Sequence, residues 1–492
     1  MSIDCTSSFA RTAMSQPQSK PAPLALAILL LGGFITVFDL FAVNVAIPSM
    51  QADLGAGFAE VGFVIAGYEL AFGVLLIAGG RLGDRHGRRR LFSIGMIGFA
   101  ATSFLCGIAP DATSLIVARL LQGATGAILF PQVYASLRVL YGEADRRRAF
   151  GLLGMTLGLA AIAGQVLGGL IVESNLLGLG WRTIFLVNLP VGLAAAWSHT
   201  IPESRSSETM GVDWPGVGLA TAGLLLLLFP LLEGPNAGWP AWTWVSMATS
   251  ILLMAAFLLW EHRAAELGSS PAIDLRLFRN AGFSIGSLVV LLIYSTATSM
   301  FLCFALLTQF GLGLTPFEAG TLFAPASVGF VAASLLAPKL VARFGKIGIA
   351  GGALVYAAGI LWLIVAASGL RNRTDALFML PPLVLFGFGQ GLSMTPLLNL
   401  VIGVVEERHA GMAAGFISTM QQVGGAFGVS IVGIFFISIL SRDAKPGISQ
   451  ASRYADAFAG AMLYNIMAVA VAAILIAWIS LSRLRSDRTG SG

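Results

Sequence analysis

Charged residues are scarce in this sequence. Asp, Glu, Lys and Arg make up only 11% of its 492 residues, whereas hydrophobic residues make up 57%. A soluble domain carries about 25% charged residues. The shortage excludes a large soluble protein, because so few charges could not cover a surface that faces water.

Cysteine is scarce as well, and the usual sequence markers of catalysis are missing. Cys5 lies in a polar tail, and Cys106 and Cys303 lie in apolar runs, so the sequence predicts no disulfide or metal framework. The apolar runs hold no pair of nucleophile and base, and the chain has no phosphate loop of the Walker type. We therefore expect no metal, no cofactor and no ATP-driven pumping, and a polytopic membrane enzyme is the least favoured interpretation.

Long apolar runs are abundant instead. They are about 20 residues long, the length that crosses a hydrocarbon core of about 30 Å. The polar residues 1–23 lead directly into the first run, which predicts an uncleaved first helix rather than a signal peptide. The pattern predicts an all-α polytopic membrane protein with fourteen transmembrane helices, over residues 24–48, 61–80, 91–109, 112–137, 150–172, 183–200, 215–233, 243–260, 282–308, 317–337, 347–369, 376–404, 411–440 and 457–482.

The basic residues predict the orientation in the membrane. Most of the 29 Lys and Arg residues fall in loops on the same side as the amino terminus. Because cytosolic loops carry the excess of Lys and Arg, both termini should be cytosolic in a protein of the cell (inner) membrane. The net charge of +5 then reflects orientation and contact with lipid headgroups rather than nucleic-acid binding.

Two matches at nearly the same offset indicate an internal repeat. "RLGDRHGR" at 81–88 returns as "KLVARFGK" at 339–346. A stripe of small or polar residues in the fifth span returns in the thirteenth, 257 residues later: Gly154, Gly158, Ala161, Gln165 and Gly168 match Gly411, Gly415, Ser418, Gln422 and Gly425. Parallel repeats of this kind are typical of transporters, whose substrate path lies between the halves.

The repeat divides the chain into two six-helix bundles with two additional helices between them. The predicted division is a cytosolic tail at 1–23, an amino-terminal bundle at 24–200, two inserted helices with their loops at 201–281, a carboxy-terminal bundle at 282–483 and a cytosolic tail at 484–492.

Several stretches resemble the major facilitator superfamily. "GGRLGDRHGRRR" (79–90) is similar to its loop between helices two and three, "LIVARLLQGATGA" (115–127) to its fourth-helix motif and "AGQVLGGLIV" (163–172) to its fifth-helix antiporter motif. "FDLFAVNVAIPSM" (38–50) and "GWRTIFLVNLPVG" (180–192) resemble signatures of the 14-span drug:proton antiporter family. Two positions depart from the family pattern, since Gln165 replaces a proline and Glu69 an apolar residue.

Three ionisable residues lie inside predicted spans, where such groups are costly and mark functional sites. At a rise of about 1.5 Å per residue, Asp39, Glu69 and Arg119 should share a layer about 10–14 Å below the outer membrane boundary. Low dielectric raises the pKa of a carboxyl group, and a nearby cation lowers it. A carboxyl whose distance from an arginine changes between two states would therefore switch its proton affinity, by about 1.4 kcal/mol per pKa unit.

The resemblance implies proton-coupling roles for Asp39 and Arg119. A static ion pair that fixes helix packing remains the alternative. Glu69, if it is not paired with Arg119, could meet a second proton or a lipophilic cationic substrate whose rings contact aromatic side chains. The predicted substrate cavity comprises Phe38, Phe41, Tyr68, Glu69, Gln122, Gln165 and Gln422.

Two further sets of residues are predicted to control how the two halves close and pack against each other. The resemblance implies that the loop after the second span latches the halves when the cytosolic side is closed; its members are Gly80, Asp84, Arg85, Gly87, Arg88 and Arg89. Glycines let helices approach closely, for packing and gating; these are Gly164, Gly168, Gly169, Gly411, Gly415 and Gly425. The repeat copy has Ala342 in place of Asp84, so only the first loop should latch.

The sequence thus predicts a proton-coupled antiporter that exports amphipathic, cationic drugs or toxic compounds by alternating access. A proton-coupled carrier of a specific metabolite, lipid or siderophore is the alternative. The expected partners are a small-molecule substrate, protons and membrane lipids, without nucleic acid, and the predicted state is a monomer.

Overall fold

A computed structural model describes residues 23–206, 211–267, 271–406, 410–442 and 449–489. These residues form α-helices with short connections and contain no strand. The helices are α1 (Pro23–Leu54), α2 (Phe58–His86), α3 (Arg88–Gly107), α4 (Ala112–Leu140), α5 (Glu143–Ser174), α6 (Thr183–Leu186), α7 (Asn188–Leu193), α8 (Trp214–Ala237), α9 (Ala241–Glu266), α10 (Ala281–Ala305), α11 (Pro316–Phe344), α12 (Lys346–Ser368), α13 (Leu380–Ile402), α14 (Ala410–Arg442) and α15 (Gln450–Thr489).

Thirteen helical segments of the described residues are long and apolar enough to cross a membrane. The chain reverses direction after each crossing, so the α2–α3 and α11–α12 connections lie at one end of the bundle. We call this the basic end, because it carries the arginines of residues 81–90, and we call the other the opposite end.

The sixth predicted span, residues 183–200, consists of three consecutive short helical segments rather than one uninterrupted α-helix. α6 and α7 are followed by a 3₁₀ helix at Ala194–Thr200, with right-handed helical backbone at both junctions. Pro190 has no N–H to donate to the carbonyl of Leu186, which interrupts the α-helical ladder at this point. The path still runs from the opposite end to the basic end and supplies the fourteenth crossing.

The two halves repeat the same packing. In the amino-terminal half (α1–α7), α4 packs on α2 and α3, and α1 packs on α5; in the carboxy-terminal half (α10–α15), α13 packs on α11 and α12, and α10 on α14. Gly87 and Gly345, which end α2 and α11, both have positive φ angles, of 106° and 60°. The matched packing of the helices confirms the predicted pair of six-helix bundles.

The inserted helices α8 and α9 pack on each other beside the seam between the halves. α8 contacts α2 and α14, one helix from each half. A Cβ added to Gly62 of α2 would lie 2.7 Å from Leu232 of α8, and the rings of Phe63 and Phe229 are 5.3 Å apart. α9 instead turns large apolar side chains such as Leu252 outward.

The halves meet at the opposite end. The rings of Phe41 on α1 and Phe301 on α10 are 4.9 Å apart, edge to face. Just beyond α10, Gln309 Nε2 donates to the carbonyl of Val45 at 2.8 Å. These contacts close the space between the halves at that end.

The contact between the halves is looser toward the basic end. A Cβ added to Gly158 of α5 would lie 3.7 Å from Val331 of α11, and one added to Gly154, a turn closer to the basic end, would meet nothing within 4 Å. On the other side of the molecule, α2 and α14 stay together as far as Ile77 and Gly415.

Candidate functional site

A buried ion pair lies at the centre of the amino-terminal half. Asp39 of α1 and Arg119 of α4 are both buried, and Arg119 Nη1 lies 2.6 Å from Asp39 Oδ2. The predicted layer of charges thus brings these two residues into direct contact. Removing one partner of a buried pair costs about 3–5 kcal/mol, because the other charge is left uncompensated.

Polar side chains from α4 itself and from two more helices, α3 and α7, complete the cluster around the pair. Gln122 Nε2 and Asn188 Nδ2 donate to Asp39 Oδ1 at 2.9 and 3.1 Å, and both also donate to Ser103 Oγ, at 2.7 and 3.1 Å. Arg119 Nη1 donates to Gln122 Oε1 at 2.6 Å. Both Asp39 oxygens therefore accept hydrogen bonds from groups fixed by their own partners.

Sequence reasoning named Gln122 but missed Ser103 and Asn188. Asn188 did give a signal, because it is an amide inside the apolar run "IFLVNLPVG". Ser103 gave none, because a serine in a membrane helix can bond to its own backbone.

Arg119 also contacts α2. Its Nε donates to the carbonyl of Val64 at 3.1 Å, and its guanidinium lies 4.1 Å from the centre of the Tyr68 ring. Every partner named so far belongs to the amino-terminal half. The described residues include no group of three or more His, Cys, Asp or Glu that could hold a metal ion.

Glu69 lies apart from this cluster, between the two halves. It is 2% exposed, and its Oε1 accepts a hydrogen bond from Thr298 Oγ1 of α10 at 2.8 Å. Its Oε2 is buried and has no hydrogen-bond partner among the described residues. A Cβ on Gly425 of α14 would collide with this carboxyl group.

The aromatic residues predicted for the substrate cavity have separate surroundings. Phe38 stacks on Phe34, with ring centres 5.8 Å apart, and Phe41 contacts Phe301 across the halves. Tyr68 faces the guanidinium of Arg119. Of these rings, Phe41 is the one that lies between the halves.

The other two glutamines of the predicted cavity, Gln165 and Gln422, lie at contacts between the halves. Gln165 is 3% exposed, and its Nε2 is buried without a hydrogen-bond partner in the described part of the chain. It lines a small cavity with Asn44 and Gln309. Gln422 of α14 packs on Gly73 of α2, where an added Cβ would approach to 2.8 Å.

The predicted latch loop is engaged within its own half. Arg88 Nε and Nη2 donate to Asp84 Oδ1 at 3.1 and 2.6 Å. Gly87 makes the turn between α2 and α3 with its positive φ. The Arg89 backbone N–H donates to Glu203 Oε1 at 3.1 Å, which ties the loop to the connection leading into α8.

Arg81 adjoins the predicted latch residues and contacts the connection before α8. The remaining latch residues contact α4 or solvent. Arg81 Nη1 donates to the carbonyl of Gly211, just before α8, at 3.0 Å. Gly80 lies beside Pro131 of α4, and Arg85 is exposed. The loop therefore fixes α8 to the amino-terminal half at the basic end.

Two of the predicted packing glycines lie at a contact between helices of the same half. Added Cβ atoms on Gly164 and Gly168 of α5 would approach Phe41 and Ala42 of α1 to 2.7 and 2.9 Å. These positions set the spacing of α1 and α5.

Three other glycines face the opposite half. Gly169 abuts the backbone of Pro316, Gly415 lies beside Ile77, and Gly425 lies against Glu69. The surroundings of Gly411 lie outside the part of the chain that the structure describes.

The carboxy-terminal half carries an uncharged counterpart of the Asp39 cluster. Thr296 of α10 stands 257 residues after Asp39. Its hydroxyl and that of Tyr356 are 2.9 Å apart, and Gln390 Nε2 lies 3.5 Å from the Tyr356 oxygen. Asn465 donates to the Thr296 carbonyl at 3.2 Å.

Comparison with known proteins shows which protein family this chain matches. The sequence model of the family described as Major Facilitator Superfamily matches residues 29–429. A "Probable actinorhodin transporter" of Streptomyces coelicolor is 34% identical over 440 residues, which cover 89% of this chain and 76% of that protein. A cephamycin export protein of Amycolatopsis lactamdurans is 35% identical over 464 residues, with 92% of each chain covered. A multidrug resistance protein of Mycobacterium tuberculosis is 30% identical over 425 residues, covering 86% and 77%.

Solved structures agree on the fold. A bacterial homologue of the human lysosomal transporter Spinster, in an inward-facing and unoccupied conformation, matches with a TM-score of 0.66 and 16% identity, covering 94% of this chain and 98% of that one. A bacterial homologue of the human drug peptide transporters matches with a TM-score of 0.65 and 14% identity, covering 94% and 99%.

Proposed function

This chain belongs to the major facilitator superfamily, and we propose that it is a proton-coupled antiporter that exports amphipathic drugs or toxic compounds by alternating access. Relatives whose names describe antibiotic or drug export align over most of the chain, which supports a drug-exporting transporter rather than an enzyme. The observation that carries the proton coupling is the buried pair of Asp39 and Arg119.

The proton is carried by a carboxyl group. Arg119 stays protonated at any accessible pH, so a proton exchanged by the cluster must reside on Asp39. In the closed packing described above, Asp39 is buried and accepts hydrogen bonds from Arg119, Gln122 and Asn188. Rocking of the halves would admit water from one side at a time, and the hydrated carboxyl would exchange its proton with that side only.

The orientation follows from the charges. The basic end carries the arginines of the α2–α3 loop and both ends of the described chain, so we place it in the cytosol. The closed, opposite end then faces outward, and substrate would enter from the cytosol between α5 and α11, where the contact between the halves is looser. We further propose the cell (inner) membrane as its location, lipid headgroups as contacts of the basic loops and a monomer as the working unit.

Everted membrane vesicles test the proposal. An imposed proton gradient, acidic inside, should drive accumulation of fluorescent drugs or dyes, and an uncoupler should abolish it. Asp39→Asn should reduce gradient-driven accumulation at least about tenfold, because a loss of about 1.4 kcal/mol or more of coupling corresponds to that factor.

Asp53→Asn is the matched control, because Asp53 lies on the same helix but at its exposed end, paired with Arg182. This variant should accumulate dye like the wild type. Accumulation in Asp39→Asn that still followed the gradient would overturn the coupling role of the pair. Uptake of a single metabolite, lipid or siderophore and of no drug would instead favour the specific carrier.

A further inference from the structure

The two buried acids differ in what a rocking motion does to them. All hydrogen-bond partners of Asp39 lie in the amino-terminal half, so rigid rocking of the halves changes its access to water but leaves its contacts in place. Glu69 is different, because its hydrogen-bond donor, Thr298, belongs to the other half. Movement of the halves must therefore change the contacts of Glu69.

Glu69 is buried in the closed contact, and the described residues of α10 and α14 place no charged group beside it. α10 contributes the Thr298 hydroxyl and α14 contributes the backbone of Gly425. The charged and titratable groups near the carboxyl are Arg119 of α4, which is already paired with Asp39, and Tyr68 on its own helix. One carboxyl oxygen has no hydrogen-bond partner among the described residues.

We propose that Glu69 is a second proton site, one that controls closure: the halves pack together at α2 when Glu69 is protonated and separate there when it is ionised. The inference rests on the proposed proton-coupled transport and deepens it. A carboxylate with a single hydrogen bond in this contact would be a buried, uncompensated charge, whereas the protonated group is neutral. The only chemical step is the transfer of one proton from water to the carboxylate.

The position of the site sets its part in the cycle. When α2 separates from α10 and α14, water reaches Glu69 and the carboxyl ionises or binds a proton according to the outer pH. Proton binding then allows closure of the outer side. In this way an outward-facing molecule that has released its substrate returns only after a proton has bound.

Distance measurements between spin labels test the closure directly. Ala52→Cys in the amino-terminal half and Leu377→Cys in the carboxy-terminal half place labels at exposed positions of the opposite end. Cys5→Ser leaves only the buried Cys106 and Cys303 besides the labels. In lipid nanodiscs, the wild-type short-distance population should rise as the pH falls.

Glu69→Gln supplies a neutral side chain of the same shape, which can still accept from Thr298. In this variant the two spin labels should stay at the short distance from acidic to alkaline pH. Glu60→Gln is the matched control, because Glu60 lies on the same helix and caps its start through the Gly57 N–H; it should keep the wild-type response. A pH response of Glu69→Gln equal to that of the wild type would overturn the proposal.

Thr298→Val keeps the side-chain volume and removes the donor. Because Thr298 bonds Glu69 only when the halves are closed, its loss weakens the closed state without affecting the open one, so more acid is needed for closure and the closure midpoint should move to lower pH. An unchanged midpoint would overturn the part assigned to Thr298.

Transport assays separate the two proposals. If wild-type vesicles accumulate dye with the gradient while Glu69→Gln keeps the normal pH response of its distances, the closure site alone fails. If Glu69→Gln keeps the short label-to-label distance at every pH but wild-type vesicles accumulate no dye in response to the proton gradient, the closure site stands and proton-coupled transport fails.

Discussion

Individual residues of this protein divide into those that are satisfied within one half and those that depend on the other half. Asp39 belongs to the first kind, with donors from Arg119, Gln122 and Asn188. Glu69 belongs to the second. Their sequence signal was the same, an acid in an apolar run, because a sequence shows that a charge is buried but not which helix faces it.

Gly425 tests the importance of close contact at Glu69. Gly425→Ala places a methyl group against the carboxyl, which must push α14 away from α2 or displace Glu69. Overpacking typically costs about 1–3 kcal/mol, so transport should fall roughly five- to a hundredfold while membrane insertion persists. Transport per inserted molecule in vesicles measures this.

Gly151→Ala is its control, because an added Cβ there meets nothing within 4 Å. Equal transport by the two alanine variants would show that the contact at Gly425 has room to spare.

Asp84 is predicted to act through its charge. Asp84→Asn keeps an acceptor for Arg88 but loses the ion pair, and charge-assisted hydrogen bonds contribute about 1.5–3 kcal/mol. Transport should drop about tenfold or more, with nearly normal abundance, as measured by dye efflux and immunoblotting of the same cells.

Asp111→Asn is a suitable comparison. Asp111 caps α4 at the opposite end, where the Ser114 N–H and hydroxyl hold the pKa of the carboxyl below its usual value. An asparagine caps almost as well, so this variant should transport normally. Full transport in Asp84→Asn would leave the loop with a role in membrane orientation alone.

Among the elements, the inserted helices have a structural role that the sequence left open. α8 lies on α2 and α14 and so covers the seam between the halves on one side, while the loop residue Arg81 fixes the connection before it. A helix in that position covers one side of the seam without belonging to either repeat.

Leu232 measures how much the α8 contact contributes. It is 3% exposed and fits against Gly62. Leu232→Ala should lower the stability by about 2–5 kcal/mol, as for other buried leucines, and reduce the thermal unfolding midpoint in detergent.

Leu252→Ala on α9 removes the same atoms from a side chain that is 69% exposed, so its midpoint should stay near the wild-type value. A similar loss in both variants would mean that α8 is held by its connections rather than by its packing on α2.

Element boundaries were predictable where apolar runs end in glycine or charge. The predicted span 347–369 corresponds to α12 at Lys346–Ser368. The sixth span was the exception, because composition reports hydropathy, whereas Pro190 decides which hydrogen bonds the backbone can form.

The halves meet at the opposite end, and the proposed alternating access requires that closure to be reversible. Glu173 Oε2 of α5 accepts from the Phe317 N–H of α11 at 3.3 Å, across the halves. Glu173→Cys combined with Phe317→Cys should form a link under oxidation that stops transport, and reduction should restore it. Continued transport by the oxidised, fully linked protein would contradict alternating access, and Glu173→Cys alone should be insensitive to oxidation.

The sequence by itself determined the class of the molecule, its repeated halves and the presence of buried charge. Hydropathy fixes which segments leave water, and the repeat at 81–88 and 339–346 indicates two similar halves, in which Gly87 and Gly345 both end a helix with positive φ. Only the tertiary structure decided that Arg119 pairs with Asp39 and that Glu69 faces Thr298. Which side chains meet depends on the rotation of each helix about its axis, and that rotation is set by packing with every neighbour at once.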